Sequence, residues 1–271
     1  MNWRTVLVLG GYGETGRRLV RLLVERTDAR VVVAGRDYRR ATALAAELGA
    51  DGVRGIGLDA ADAPSVRRAL EGVDLLVNLA VVPRHVAALA RTALATGTDW
   101  LDFQIHRGQA RILDEMANEI AAAGRCFVTQ AGFHPGVPAA LVRWAAQRVD
   151  ELRGAWIASV LAERDGLPAT SGLDELVASF RDYRAMRYEN GRWRQLAGGR
   201  PSDYPVVDFG FGFGRRRTFV MEFDELLSLP DRLPGLRRLG FSITMDAATN
   251  VASSLILPAL AVTGARPRAP S

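Results

Sequence analysis

The fold of this chain is decided at residues 5–16, which read TVLVLGGYGETG. The run from Thr5 to Leu9 is apolar after its first residue, as is typical of a buried strand. It leads directly into Gly11-Tyr12-Gly13-Glu14-Thr15-Gly16, a GxGxxG motif, and the residues after the motif have helical periodicity. In such a unit the first glycine makes a tight turn, the second lets a pyrophosphate approach the backbone, and the third packs helix on strand. The motif predicts a dinucleotide-binding loop, with an ordinary glycine-rich turn as the alternative.

Apolar runs and amphipathic segments alternate through the first half of the chain. Strands are predicted at residues 5–9, 31–34, 53–58, 74–80, 99–103 and 125–130, and helices at 15–25, 39–48, 64–70, 84–95 and 108–123. The strand runs are rich in Val and Leu without polar alternation, which indicates burial on both faces. We therefore predict an α/β fold, with a Rossmann doubly wound parallel sheet over residues 1–150 that binds the dinucleotide.

The second half lacks this regular alternation. Strands are predicted at residues 154–164, 217–223 and 236–245, a helix at 173–183, and a hairpin at 188–196 that turns on Asn190-Gly191. These elements predict an α+β domain over residues 151–246 for substrate binding or dimerisation. Residues 247–271 form an apolar segment and a tail, and we expect the apolar segment to pack on the first domain.

Composition restricts the function classes. The chain has 271 residues, 48% of them apolar, so it can bury a full hydrophobic core. Its net charge is +5, but every basic residue is arginine and the arginines are scattered, so we expect solvated faces and no nucleic-acid partner. Without lysine, neither a Schiff base nor the tyrosine–lysine pair of short-chain dehydrogenases is available. We expect no membrane span and no signal peptide, and the single Cys126 fits a cytoplasmic protein without a cysteine-based metal site.

The end of the second predicted strand bears on cofactor choice. About twenty residues after the motif, where an NAD enzyme carries an acid for the ribose hydroxyls, the sequence reads Ala34-Gly35-Arg36. The forked cation of Arg36 suits a 2′-phosphate, so we predict NADP(H), with Arg39 or Arg40 as helpers. NAD is the alternative, with Asp37 binding the ribose. Asp59, at the end of the third strand, is a candidate to border the adenine, with a turn role as the alternative.

Polar residues also follow the later strands, at the sheet edge where ligands bind in open α/β folds. Asn78-Leu79-Ala80 closes the fourth strand and is predicted to form the wall beside the nicotinamide. After the fifth strand, Asp102, Gln104 and His106 are candidates for substrate contact. After the sixth, the turn at residues 132–136 aims His134 at the same crevice. We take His134 and Asp102 as the catalytic candidates, against the alternative that a lone histidine is structural or solvated.

One segment of the second half is unusual. In Phe209-Gly210-Phe211-Gly212-Phe213-Gly214 aromatic residues and glycines alternate, and three arginines follow. An aromatic wall with a basic rim for an acidic substrate is one interpretation. We favour the other, a close-packed bend in the second domain.

These residues together resemble the saccharopine dehydrogenase-like oxidoreductases. The resemblance rests on residues 10–16, 34–37 and 38–49, on the strand end at Asp102, and on the turn at 131–136, with a weaker likeness over 223–239. It implies a Rossmann domain followed by an α+β domain, NAD(P) binding and a homodimer. It also implies chemistry on secondary amines that join an amino compound to an oxo acid.

We accordingly predict an NADP(H)-dependent oxidoreductase. It would pass a hydride to or from a C=N or C=O carbon of a small substrate, such as an amino or oxo acid or an imine, held between the domains. One alternative is a non-catalytic NADP-binding redox sensor or scaffold. Another is an enoyl or carbonyl reductase of a biosynthetic pathway. No metal is predicted at the site.

Overall fold

The structure, a computed structural model, describes residues 4–104, 107–161, 185–196, 203–210 and 212–244. The chain divides into two compact units, Met1–Gly136 and Val137–Ser271. The residues that the sequence predicted as the helix at 173–183 and as the C-terminal segment at 247–271 lie outside the described residues, as does His106.

The first unit is built on a parallel sheet of six strands in the order β3-β2-β1-β4-β5-β6. The strands are β1 Thr5–Leu9, β2 Arg30–Gly35, β3 Val53–Gly57, β4 Leu75–Asn78, β5 Asp99–Asp102 and β6 Phe127–Val128. The order reverses between β1 and β4, the switch point at which open sheets of this kind bind ligands. The predicted Rossmann sheet is confirmed.

Helices cover both faces of this sheet. They are α1 Glu14–Arg26, α2 Tyr38–Leu48, α3 Ala63–Leu70, α4 Val86–Ala95, α5 Arg107–Glu115 and α6 Ala117–Ala122. Val6 and Val8 of β1 pack in one core with residues of α1 and α2, whereas Leu7 and Leu9 pack in another with residues of α3 to α6. Alternate strand residues are thus buried on opposite faces, which explains the continuous apolar runs in the sequence.

One predicted helix is divided. The segment predicted as a single helix over residues 108–123 breaks at Met116, whose ψ is 0°. The Met116 side chain is buried in the core, and its amide donates to the carbonyl of Leu113, three residues back, at 3.1 Å. Met116 is therefore both a buried core residue and a turn between two helices, and the helical periodicity of the sequence does not reveal that turn.

The second unit combines a mixed sheet with short helices, which confirms the predicted α+β character. Its elements are α7 Val137–Ala146, β7 Gly154–Val160, β8 Met186–Glu189, β9 Arg192–Gln195, β10 Val206–Asp208, β11 Arg215–Arg217, β12 Phe219–Met221, α8 Asp224–Leu227, α9 Leu229–Arg232 and β13 Arg238–Thr244. β13 pairs in parallel with β7 and antiparallel with β12 and β8, and β8 forms the predicted hairpin with β9. Asn190 and Gly191 turn that hairpin with φ of 50° and 86°.

Helix α7 belongs to the second unit, although the first domain was predicted to extend to residue 150. Its buried residue Val142 packs in one hydrophobic core with Phe223, Leu226 and Phe241. The division between the units therefore falls before α7.

The glycine- and phenylalanine-rich segment caps the separate hairpin of β10 and β11. Gly210, Gly212 and Gly214 have positive φ, and apart from chain neighbours no atom of the described residues lies within 4 Å of the position that a Cβ would take at any of them. The predicted close-packed bend is therefore wrong. The glycines are needed for the left-handed backbone of an open loop, not for close packing.

Candidate dinucleotide-binding site

The glycine loop joins β1 to α1 and is closed by backbone hydrogen bonds. The amides of Gly10 and Gly11 both donate to the carbonyl of Ala34 on β2, at 2.8 and 3.2 Å, and the amide of Gly13 donates to the carbonyl of Gly10 at 2.9 Å. Gly13 is the N-cap residue of α1 and offers no side chain to the first turn. The positive end of the α1 dipole therefore meets a backbone surface, the arrangement that binds phosphate in dinucleotide folds.

The loop has no room for side chains at the motif glycines. A Cβ at Gly16 would overlap the Gly10 carbonyl oxygen and lie 2.7 Å from the Cα of Gly11. A Cβ at Gly13 would lie 3.1 Å from the same carbonyl oxygen. Gly10 has φ of 82°, and a Cβ there would lie 3.0 Å from the backbone nitrogen of Ala80. The turn is lined by bare backbone, which leaves room for a dinucleotide diphosphate to approach, as the motif predicts.

The two polar residues of the motif lie in the first turn of α1. Glu14 and Thr15 are both exposed. The Oε1 atom of Glu14 accepts a hydrogen bond from Arg18 at 2.7 Å. This pair lowers the repulsion that a lone carboxylate would exert on a diphosphate at this helix end.

Tyr12 joins the glycine loop to the tip of β2. Its hydroxyl oxygen accepts a hydrogen bond from the amide of Asp37 at 2.9 Å. Its ring lies against Gly35, where a Cβ would be 2.7 Å from the hydroxyl oxygen, and the Arg40 guanidinium lies 4.7 Å from the ring centroid. Tyr12, Arg36, Asp37 and Arg40 all line a depression at the sheet edge. Tyr12 belongs to the predicted glycine motif, but its contact with the tip of β2 was not predicted.

The two charged residues at the tip of β2, Arg36 and Asp37, differ in their hydrogen bonding. The Asp37 side chain is the N-cap of α2, where its Oδ1 accepts from the amide of Arg40 at 3.1 Å. Arg36 is exposed and makes no hydrogen bond or ion pair with any of the residues that the structure describes. A free cation beside a carboxylate already used as a helix cap fits a 2′-phosphate better than a 2′-hydroxyl.

Asp59 has a turn role. It follows β3, is exposed, and its Oδ1 accepts from the amide of Ala61 at 3.0 Å, which fixes the turn before α3. This was the alternative to contact with the adenine, and the observed contact requires no ligand.

Asn78 ends β4 as a fully buried side chain. Its Oδ1 accepts from the amide of Ala80 at 3.2 Å, while its Nδ2 has no partner among the described residues. The Ala80 carbonyl in turn accepts a hydrogen bond from the Gln104 side-chain amide at 3.2 Å. The backbone amide of Leu79 donates to the carbonyl of Leu9 at 2.8 Å, which continues the pairing of β4 with β1. The end of β4 is therefore linked both to β1 and to the loop after β5.

Asp102 is buried and its carboxylate accepts four hydrogen bonds. Oδ2 accepts from the indole nitrogen of Trp100 at 2.6 Å. Oδ1 accepts from the amides of Gln104 and Gln130 at 3.1 and 3.3 Å and from the Thr129 hydroxyl at 2.9 Å. One carboxylate thus holds together the segments that follow β5 and β6. Thr129 and Gln130 were not identified from sequence, where only the strand end at Asp102 gave a signal.

His134 lies on the tight loop after β6. Gln130 begins the loop with φ of 56°, and Gly136 ends it with φ of 132°, where a Cβ would lie 2.6 Å from the Gln130 carbonyl oxygen. The His134 ring is 4.2 Å from the exposed Phe133 ring, centroid to centroid. Partial burial lowers the pKa of His134 below its usual value of 6.5, so its imidazole is neutral at pH 7. A neutral imidazole can accept a proton from a reacting group.

Within the described residues, no three His, Cys, Asp or Glu side chains converge to hold a metal ion. In the same part of the chain, no helix combines the length and the apolar character that crossing a membrane requires.

Comparison with known proteins agrees with this geometry. Residues 6–128 match the family model of the saccharopine dehydrogenase NADP binding domain. Among solved structures, the chain is similar to apo saccharopine dehydrogenase (L-Glu forming) from Saccharomyces cerevisiae, with 19% identity and a TM-score of 0.66. That match covers 89% of this chain and 54% of the yeast chain, so this chain spans about half the length of the yeast enzyme. A search of curated proteins found no match.

Two further solved structures show weaker similarity. Pen from Bacillus thuringiensis has 14% identity and a TM-score of 0.40, over 57% of this chain and 58% of that one. An NADPH-dependent quinone oxidoreductase from Escherichia coli has 18% identity and a TM-score of 0.36, over 56% and 55%. TM-scores this low carry no argument about function. The yeast structure supports the fold, and the family match supports NADP as the cofactor.

Proposed function

We propose, on the premise that this chain belongs to the saccharopine dehydrogenase-like family, that it is an NADP(H)-dependent oxidoreductase acting on a C=N or C=O carbon of a small substrate. The observation that carries the proposal is the tip of β2, where Arg36 is exposed and without a partner among the described residues while Asp37 caps α2. When bound, NADP(H) supplies or accepts the hydride. In this proposal the backbone of residues 10–16 holds the diphosphate and Arg36 binds the 2′-phosphate.

A proton must move when an amine or alcohol is oxidised, and we assign that proton to His134. Burial lowers the pKa of His134, so near neutral pH it is a base ready to accept the proton that oxidation releases. Asp102 was predicted as a catalytic residue together with His134. Because four hydrogen bonds occupy its carboxylate, we propose that Asp102 is a positioning residue for the loops after β5 and β6.

The cofactor assignment is tested by Arg36→Ala. We expect the Kd for NADPH to rise about 10- to 100-fold and the Kd for NADH to change by less than about threefold, because only NADPH carries the phosphate that Arg36 binds. Isothermal titration calorimetry measures both constants. The matched control is Arg54→Ala, at an exposed arginine of β3, which we expect to change neither. Equal losses for the two cofactors, or no loss, would contradict the assignment.

Turnover is tested by following NADPH oxidation with paired amines and oxo acids, with carbonyl compounds, and with compounds that contain carbon–carbon double bonds. We expect the amine and oxo-acid pairs or the carbonyl compounds to react. With the substrate identified, His134→Ala is assayed in the oxidative direction, with NADP⁺ and the amine or alcohol, where the neutral imidazole accepts the released proton; we expect kcat to fall about 100-fold while the Kd for NADPH stays unchanged. Saturable NADPH binding without turnover would support the sensor or scaffold alternative instead. Reaction confined to the carbon–carbon double bonds would support an enoyl reductase.

The family resemblance also leads us to propose a homodimer, with the second unit as the substrate or dimerisation domain. Light scattering of the purified chain measures its mass against the 29.4 kDa of one copy. A monomeric mass at micromolar concentration would contradict the dimer and leave the cofactor assignment intact.

A further inference from the structure

The hydroxyl of Tyr12 has an unused hydrogen-bonding capacity at the tip of β2. A tyrosine hydroxyl accepts hydrogen bonds and donates one. The Tyr12 oxygen accepts from the amide of Asp37, but none of the residues that the structure describes accepts its proton. Because a hydroxyl that accepts a hydrogen bond is polarised into a stronger donor, this proton is suited to an anionic acceptor.

The Tyr12 ring is held in place from two directions. Gly35 is buried beneath it, and a Cβ there would lie 2.5 Å from the ring carbon Cε1, so glycine is required for this contact. The Arg40 guanidinium lies 4.7 Å from the ring centroid, a cation–π arrangement. Arg40 therefore adds positive charge next to the hydroxyl. Held in this way, the hydroxyl does not have to be ordered when a ligand binds.

The neighbouring charges indicate what the ligand group is. The depression that Tyr12 lines is also lined by Arg36, while the carboxylate of Asp37 is used as a helix cap. A hydroxyl donor beside two guanidinium groups favours a group that only accepts hydrogen bonds and carries negative charge. A phosphate monoester has both properties.

We propose that Tyr12 is a specificity residue for the phosphorylated cofactor, its hydroxyl donating to the 2′-phosphate beside Arg36. This inference rests on the proposed function and adds to it a residue of the glycine motif. It also explains why the glycine loop and the tip of β2 are joined by a side chain. The loop that holds the diphosphate thereby positions a donor for the second phosphate site.

The test is Tyr12→Phe in the full chain, which removes the hydroxyl and keeps the ring. The probes are adenosine 2′,5′-bisphosphate and adenosine 5′-phosphate, which differ only by the 2′-phosphate. We expect the Kd for the bisphosphate to rise about tenfold and the Kd for the monophosphate to stay within about twofold. Tyr188→Phe in the second unit is the control for loss of a hydroxyl elsewhere, and we expect it to change neither constant.

A second variant approaches the same hydroxyl without removing it. In Gly35→Ala the new methyl group displaces the Tyr12 ring, so we expect binding of the bisphosphate to weaken while Tyr12 itself is intact. Thermal unfolding of each variant checks that it folds. With both variants available, the inference does not depend on the stability of one of them.

The outcomes separate this inference from the proposed function. If the wild-type chain binds neither the bisphosphate nor NADPH, both fail. If the wild type binds the bisphosphate and Tyr12→Phe binds it equally well or more tightly, only the role of Tyr12 fails. Tighter binding by Tyr12→Phe would mean that the Asp37 amide, freed from the Tyr12 hydroxyl, is the better hydrogen-bond donor to the phosphate. An equal loss for both probes would also overturn it, because Tyr12 would then order the loop without reading the phosphate.

Discussion

Substituting Asp102→Asn should destabilise the first unit, by an amount that can be estimated from the contacts of its carboxylate. Oδ1 accepts from Gln104, Thr129 and Gln130, and Oδ2 accepts from the Trp100 indole at 2.6 Å. Asparagine has one acceptor oxygen, which we expect to serve the three donors. Its NH₂ group then faces the indole N–H, so a hydrogen bond to a charged group is lost and a buried donor is left unsatisfied. The two effects together cost about 2–4 kcal/mol.

The free energy of unfolding is measured by urea denaturation followed by far-UV circular dichroism. Hydrogen exchange over residues 99–131 checks that the loss is local to β5, β6 and the loops that follow them. The matched control is Asp59→Asn, the same substitution at an exposed strand end where asparagine can still accept from Ala61. We expect the control to change stability by less than about 0.5 kcal/mol. If Asp102→Asn is as stable as the control, the carboxylate does not hold these loops together.

Three further outcomes are expected. Gly16→Ala should abolish measurable NADPH binding in calorimetry and lower the melting temperature, because its Cβ would lie 2.7 Å from the Cα of Gly11. If His134 is the base, kcat/KM for oxidation should be constant above pH 6.5 and fall as the pH drops through the lowered pKa of His134, and His134→Ala should lack this acidic limb. Glu47→Gln should leave the melting temperature unchanged at physiological salt. The Arg21 side chain lowers the pKa of Glu47, but the pair is exposed and screened.

The sequence was sufficient to predict the first sheet because the signals there are local. The run TVLVL predicted β1 to the residue, and the motif that follows predicted the turn and the start of α1. Val and Leu runs indicated strands buried on both faces, which the two cores of the first unit confirm. The break at Met116 and the open surroundings of Gly210, Gly212 and Gly214 were not predicted. Helical periodicity continues across the first, and alternating glycines are compatible with a close-packed bend as well as with an open turn.

From the sequence, site residues could be proposed only from their own chemistry and their position at a strand end. Arg36 was identified because a guanidinium at a strand end is informative by itself. The partners of Asp102 lie 27 and 28 residues further along the chain, at Thr129 and Gln130, and Tyr12 meets Asp37 across 25 residues. Such contacts depend on which strands are neighbours in the sheet. Periodicity within one segment contains no information about them.

The two sides of the switch point differ in how their polar groups are used, and this difference bears on catalysis. At the ends of β1 and β2, the α1 N-terminus lacks a side-chain cap and Arg36 has no partner within the described residues, so binding capacity is left for an anion. At the ends of β4 and β5, by contrast, the Asn78 oxygen and both Asp102 oxygens are bound to protein donors. Groups with occupied acceptors stabilise a geometry and are poorly placed to exchange protons. In our proposal Asp102 therefore positions the loops, and we expect proton transfer to depend on His134, whose pKa burial lowers.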